Sequence, residues 1–244
     1  MRIAPSLHRL GEDIVNCYLI EEAGRVTIVD AGVPAYYEEV AVELKAMGRT
    51  IDDVDALVLT HGHSDHIGFA ERLRSDDGIP VSVHELDAAL ARGEVKNPSP
   101  GAGKSSLMPF MRFLVWSARR GALRQKNLTE VATFEAGTTL DVPGAPAIVH
   151  TPGHTPGSVS LHMPSVDALI VGDALATYSP ATGATGPQIA AFSADPDEAL
   201  ASLAAIEDLE ARHVLPGHGA AFDGGVQEAV SLARDFGVEH LARP

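Results

Sequence analysis

Residues 59–68, LTHGHSDHIG, place three histidines and an aspartate within six positions of a chain that has 11 histidines among 244 residues. Three chemistries fit such a stretch: a polar surface loop, a histidine general base with an orienting carboxylate, or a metal site. In extended or loop backbone, side chains at i and i+2 point the same way, so His61 and His63 converge on one ion. Gly62 adds no bulk between them. Asp65 and His66 are adjacent, diverge from that pair and suit a second ion nearby. The stretch starts where a buried-strand pattern stops, and a surface loop requires neither that position nor the glycine.

Two ions need ligands from elsewhere in the chain. His154 sits in HTPGHTPGS between two strand patterns, Asp173 in IVGDA at the end of another, and His218 in LPGHG, again just past a strand and flanked by glycines. A lone histidine beside glycine is more often an ordinary loop residue; several strand ends carrying metal-competent side chains point together to a metal. The single cysteine, Cys17, excludes a thiolate cluster, so the ligands must be imidazole and carboxylate. It also excludes an intrachain disulfide framework, fits a reducing cytoplasm, and reads as a small buried apolar residue rather than a nucleophile. Tyr178, five residues after Asp173, is either a donor to a developing oxyanion or a packing residue. His8, His84, His150, His162, His213 and His240 lack the glycine-flanked, strand-end setting and read as structural.

The elements that must position these side chains alternate in the first half. RVTIVDAG (25–32) reads as a buried strand, PAYYEEVAVELKAMGR (34–49) as an amphipathic helix, VDALVLT (54–60) as a strand, HIGFAERLRS (66–75) as a helix and IPVSVHE (79–85) as a strand. That order implies a parallel or mixed sheet with helices packed on it. The second half reads as an antiparallel meander of PAIVHTPG, SVSLHMP and ALIVGDA, separated by Pro/Gly/Ser turns. A helix is expected over 195–212, with Asp195 as N-cap, Pro196 as its first residue and Leu200, Leu203, Ile206 and Leu209 as its buried stripe. HVLPGHG and a last helix over 226–236 follow. The two halves share the form of an apolar strand running into an Asp-containing turn, which hints at two similar layers packed face to face.

The ordered set His61-x-His63-x-Asp65-His66, then His154, Asp173 and His218, resembles the metallo-β-lactamase-fold hydrolases, over almost the whole chain from VNCYLIEEAGRVTIVDAG to PGHG. The resemblance implies an α+β chain folded as a four-layer αββα sandwich of two mixed β-sheets flanked by helices, one domain over 1–244, with the site at one edge of the sheets. It also implies a division of ligands: His61, His63 and His154 on a first ion, Asp65, His66 and His218 on a second, and Asp173 bridging both. Asp30, in VDAG, is similar to the family's supporting aspartate that accepts the other N–H of a ligand histidine; a plain turn carboxylate is the competing reading. Two zinc ions are expected, with iron or manganese as alternatives. Their +4 against −2 from the aspartates lowers the pKa of bound water from about 15.7 towards ~7, which supplies a bridging hydroxide for attack on a carbonyl carbon. Asp65 or a bound water then passes a proton to the leaving group.

Residues 92–134 break the sheet-and-helix rhythm. NPSPGAGKSS reads as a linker, and LMPFMRFLVWSARRGALRQKNLTE after it is the one strongly basic piece of a chain with net charge −15. Lys104, Arg112, Arg119, Arg120, Arg124 and Lys126 occur there with no acidic residue between 104 and 129. A helix from about 105 to 120 is expected to be apolar over most of its circumference, with arginines at its end. This insertion, about 95–130, is a lid over the site, a homodimer interface or a membrane-surface helix, and Phe110, Phe113 and Trp116 are its candidate substrate contacts.

The charge argues against nucleic acid, since neutralising phosphates needs Lys and Arg. No apolar run approaches the roughly 18 residues that span a bilayer, and the first residues carry no apolar signal core, so a cytoplasmic protein without stable membrane insertion is expected. The leading reading is a dinuclear zinc hydrolase cleaving a small ester-type bond (lactone, thioester or β-lactam) in a small molecule with an apolar part. The alternative is an iron-dependent, sulfur dioxygenase-like oxidoreductase of the same fold.

Overall fold

The computed structural model describes residues 1–96, 105–239 and 241. In chain order the strands and helices are β1 (Arg2–Ala4), β2 (Leu7–Glu12), β3 (Val15–Glu22), β4 (Arg25–Val29), α1 (Tyr36–Ala46), β5 (Val54–Val58), α2 (Ala70–Asp76), β6 (Val81–His84), α3 (Ala88–Ala91) and α4 (Leu107–Arg119). They continue with β7 (Ala132–Phe134), β8 (Ala147–His150), β9 (Val159–Met163), β10 (Ala168–Gly172), β11 (Ala176–Tyr178), β12 (Thr185–Gln188), α5 (Pro196–Ser202), β13 (His213–Pro216) and α6 (Val226–Phe236).

β1 to β7 form a mixed sheet in sequential order, antiparallel from β1 to β4 and parallel from β4 to β7. A second sheet runs β13-β10-β9-β8, with only the β10–β13 pair parallel, and β11 and β12 form a separate hairpin. The alternation of side chains along each strand builds the layers. Cys17 and Leu19 of β3, Ile28 of β4 and Leu57 of β5 face α1 and α2, whereas Tyr18, Ile20, Val29 and Val58 face the second sheet. Leu161 of β9 and Ile170 of β10 meet them from the other side, while Leu169 and Val171 turn outward onto α5 and α6. The result is the four-layer αββα sandwich of two mixed sheets.

Two helices are shorter than the sequence pattern suggests. The helix expected over 66–75 starts only at Ala70, because Gly68 N–H donates to Gly32 O (2.9 Å) and Phe69 N–H to Ala31 O (3.1 Å). With Ala31 N–H donating to His66 O (2.6 Å), residues 66–69 are zipped to the loop after β4 instead of to a helical turn. The helix expected over 195–212 ends at Ser202 and tightens into a 3-10 turn at Leu203–Ala205. Its start is as expected: Asp195 accepts from Glu198 N–H (2.9 Å), with Pro196 first. Leu203 and Ile206 are buried, and Leu200 and Leu209 partly so.

The helix of the basic insertion forms as α4, with Pro109 accommodated in its first turn and Gly121 in left-handed conformation after its last. The linker reading for NPSPGAGKSS falls mostly on residues 97–104, outside the described residues, as does Lys104.

Candidate metal centre

Every candidate ligand sits on a loop leaving the end of a strand. His61, His63, Asp65 and His66 follow β5; His154 lies between β8 and β9; Asp173 follows β10; His218 follows β13. The sequence-distant loops meet at one end of the sandwich. Three overlapping sets converge there, His61/His63/His154, His61/His66/Asp173 and Asp65/His66/His218, with the ligand atoms of each set within 4.8 Å of one another. Asp173 Oδ2 lies 3.1 Å from His218 Nε2 and 3.2 Å from His154 Nε2, and its Oδ1 lies 3.5 Å from His66 Nε2. Asp65 Oδ2 is 3.5 Å from His218 Nε2, and His63 Nδ1 is 2.8 Å from His154 Nε2.

The backs of the rings are anchored. Thr60 gives its N–H and hydroxyl to the two Asp30 oxygens (both 2.8 Å), so the hydroxyl oxygen accepts from His61 Nδ1 (3.1 Å). His66 Nδ1 donates to Asp30 Oδ2 (2.8 Å). Ser193 gives its proton to Ala190 O (2.8 Å) and accepts from His154 Nδ1 (3.1 Å), and His218 Nδ1 donates to Ile14 O. In all four rings Nδ1 is the donor to the surrounding protein, which points Nε2 at the centre as the atom a metal would take once it is free of a proton. Asp30 thus makes the contact to the back of a candidate ligand ring that is expected of it. It does so from a left-handed backbone (φ 62°), an uncommon conformation for a residue with a side chain.

The donor set fits a cation. His61 Nε2, His66 Nε2 and Asp173 Oδ1 are buried and make no hydrogen bond. Each such atom costs about 1–3 kcal/mol, and all three face the same point. Burial, with the neighbouring imidazoles, pushes His61 and His154 down and keeps them neutral, as ligands must be. Burial also acts against charge on His66 and His218, but Asp30 and Asp173 outweigh it at His66, and Asp173 and Asp65 raise His218 to about 9. Without a cation, the carboxylates draw protons onto two of the rings. Gly217 permits the close approach: a Cβ there would lie 2.3 Å from Asp173 Oδ1 and 2.6 Å from the His66 ring.

The sequence reading missed Asp87. It is fully buried just after β6 and accepts from Gly62 N–H (2.8 Å), Gly157 N–H (2.8 Å) and the Thr155 hydroxyl (2.7 Å). One carboxylate thus holds the His61–His63 loop and the His154 loop together. Its position past a strand end, in HELD, is the signal it shares with the ligands. Asn16 and Tyr18 do the same for the His218 loop, donating to Pro216 O (2.9 and 2.6 Å), with a further Asn16 bond to Gly219 O (2.7 Å).

Residues 10–218 match the family model described as the metallo-beta-lactamase superfamily. The chain belongs to that superfamily. The probable metallo-hydrolase YflN of Bacillus subtilis (strain 168) is 28% identical to it, over 91% of this chain and 86% of YflN. Among solved structures, the metallo-beta-lactamase family protein TTHA1429 from Thermus thermophilus is 25% identical, with a TM-score of 0.68 over 94% of this chain and 78% of that one. TTHA1623, described in a di-iron-bound form, is 26% identical with a TM-score of 0.62, over 91% and 96%.

In this member of the superfamily the centre floors a cavity of about 240 Å³, walled by Val33, Phe113, Leu114, Ser117, Gln125 and Phe192. Of the three aromatic residues expected to touch substrate, Phe113 lines the cavity. Phe110 stands behind it, its ring centroid 6.4 Å from that of Phe192. Trp116 faces the other way, edge-on to Tyr36 and bonded to Glu12 (3.0 Å). Tyr178, on β11, packs against the helix-covered core of the first sheet and is not among the cavity-lining residues. Phe192 is a wall residue that no sequence pattern marks; it holds φ 66°, a strained state for a bulky side chain. Of the histidines read as structural, His8 pairs with Glu43 (2.6 Å), His84 stacks on His150, His162 contacts Glu210 O (3.0 Å) and His213 pairs with Asp223 (2.6 Å). His240 lies outside the described residues.

Proposed function

We propose that the protein is a dinuclear-metal hydrolase, with zinc as the working metal, that cleaves a lactone, thioester or β-lactam bond in a small molecule with an apolar part. The convergence of seven buried or half-buried ligands, with three unsatisfied atoms aimed at their centre, carries this reading. The name of YflN, probable metallo-hydrolase, supports it. His61, His63 and His154 would hold one ion, Asp65, His66 and His218 the other, and Asp173 would touch both. Such a pair supplies Lewis acidity for a carbonyl oxygen and a source of hydroxide at neutral pH.

The chain's own residues do the rest. Asp30, Thr60, Ser193 and Ile14 O keep the rings in one tautomer, so no proton has to leave Nε2 during turnover. Asp65 is the most exposed of the seven, with 23% of its side chain accessible, and it borders the cavity. That exposure supports Asp65 as the group that would carry a proton from the attacking side to the leaving group. Phe113, Leu114 and Phe192 exclude water and take the apolar part of the substrate, while Ser117 and Gln125 offer hydrogen bonds to a polar part. A cavity of this size in an acidic chain supports a small molecule over a nucleic acid as substrate.

Metal analysis of purified protein, with a chelator-controlled panel of esters, thioesters, lactones and lactams, tests the proposal. Two zinc ions per chain and chelator-sensitive hydrolysis are expected, and Asp173→Ala should lose metal and activity together. Activity retained without metal would refute the mechanism. The di-iron form of TTHA1623 favours keeping a second reading, an iron-dependent sulfur dioxygenase-like activity. One iron per chain with oxygen uptake would select it.

A further inference from the structure

We infer that the outer face of α4 is a docking surface for an anionic phospholipid membrane. Leu107, Met111, Leu114 and Ala118 recur at spacings of four, three and four, and Met108 and Val115 widen the stripe they form. This stripe points away from the body: Leu107 is 74% and Met108 80% exposed, Met111 and Val115 are also exposed, and Leu123 just beyond the helix reaches 88%. The inner face, with Phe110, Phe113 and Trp116, is the one that packs. The segment before the helix, 97–104, has no large apolar side chain to spread over the stripe.

Charge identifies the occupant. In a chain of net charge −15, the stretch 105–128 contains five basic residues and no acidic one. Arg120 is paired with Glu12 and Glu39, whereas Arg112, Arg119, Arg124 and Lys126 make no ion pair among the described residues. Arg112, Arg119 and the ion-paired Arg120 line, with Val115, Trp116 and Ala35, one open groove along the flank of α4, which sets two arginines without an ion pair beside apolar surface. That combination matches a phosphate headgroup above an acyl chain.

A second copy fits less well. Antiparallel pairing of two α4 helices would set Arg119 against the partner's helix N-terminus, where the dipole is already positive. At 13 residues α4 is too short to cross a bilayer, so it would lie in the interface plane. Leu114 belongs both to this face and to the wall of the metal-centre cavity, so docking turns the mouth of the site towards the lipid.

Vesicle flotation with the full protein tests this without reference to catalysis. The protein should float with vesicles of equal parts phosphatidylglycerol and phosphatidylcholine at low salt. It should release at high salt and stay behind with phosphatidylcholine alone. R112E/R119E should weaken binding at least tenfold, roughly the loss of several basic contacts near the surface, and M108S/M111S should weaken it too. These positions are exposed, so circular dichroism and melting of both variants should match the parent. No flotation with anionic vesicles, or flotation unaffected by R112E/R119E, overturns the inference. So does a concentration-dependent dimer in light scattering that M111E dissolves, which would give the face to a second copy.

Discussion

Asp87→Asn is the most revealing single change, because it keeps the shape of a side chain outside the candidate ligand sets and removes its charge. Asp87 receives three hydrogen bonds, from Gly62 N–H, Gly157 N–H and the Thr155 hydroxyl, all at 2.7–2.8 Å and all buried. Bonds to a buried carboxylate are worth about 1.5–3 kcal/mol each. An amide offers one oxygen for this cluster and turns an NH2 towards a backbone N–H, so at least one bond is lost and one N–H is left unpaired. The expected destabilisation is about 2–4 kcal/mol, a fall in melting temperature of about 4–16 °C for a chain of this size. The Gly62 bond fixes the backbone between His61 and His63, and the Thr155 and Gly157 bonds fix the loop of His154. The same change should therefore weaken metal binding by about 10–100-fold, as loss of a supporting hydrogen bond typically does.

Two measurements check it: a chelator-competition titration with zinc, and melting curves of the metal-free and metal-loaded protein. The metal-free variant should already melt lower, and metal should rescue it less than it rescues the parent. A variant that melts within a degree or so of the parent and binds zinc within about twofold would show that the ligand loops hold themselves, and the reasoning would fail.

Three further outcomes are expected. His218 stands at about 9 in the metal-free protein, and His66 is raised as well, so both carry protons at neutral pH that metal must expel. Calorimetry in buffers of different ionisation enthalpy should show proton release on metal binding that falls as pH climbs through about 9; release that is flat across this range would refute the assignment. Glu71, which accepts from Arg74 Nε and Nη2 and from Thr129, is lowered to about 2, so its stabilisation is complete above its unfolded value and lost as pH falls from about 4.5 towards 2. Glu71→Gln should cost about 1–2 kcal/mol at neutral pH, and urea melts should show its gap to the parent closing over that acid range; a gap of constant size would disprove the linkage. Phe113→Ala should raise KM or alter the substrate profile at unchanged metal content, and equal loss of metal would mean that the cavity wall also supports the centre.

The seven candidate ligands are legible in the sequence, and the structure brings them together, because their signal is local: an i, i+2 pair beside glycine, or a histidine or aspartate just past a β-rich run. The sandwich was legible for a related reason, since strand alternation such as that of β3 sends Cys17 and Leu19 to one layer and Tyr18 and Ile20 to the other. What periodicity could not convey is how loops of no regular structure come to rest against one another. Asp30 reaches 36 residues along the chain to His66, and Asp87 reaches 25 residues back to Gly62 and 70 forward to Gly157. A buried carboxylate of this kind has the sequence appearance of a turn residue; only its partners distinguish it.

The shortened helix α2 follows from the same competition. Residues 66–69 carry a helical pattern, but their backbone groups bond to Ala31 and Gly32 and so draw His66 to the centre. Local propensity is overridden at a candidate ligand. The cavity wall is a further case: Phe192 owes its place to a left-handed backbone at one residue, and no hydrophobic pattern encodes a φ angle. In this chain the chemistry is written in residue types and their spacing, while its precision rests on a few long-range hydrogen bonds to Asp30 and Asp87.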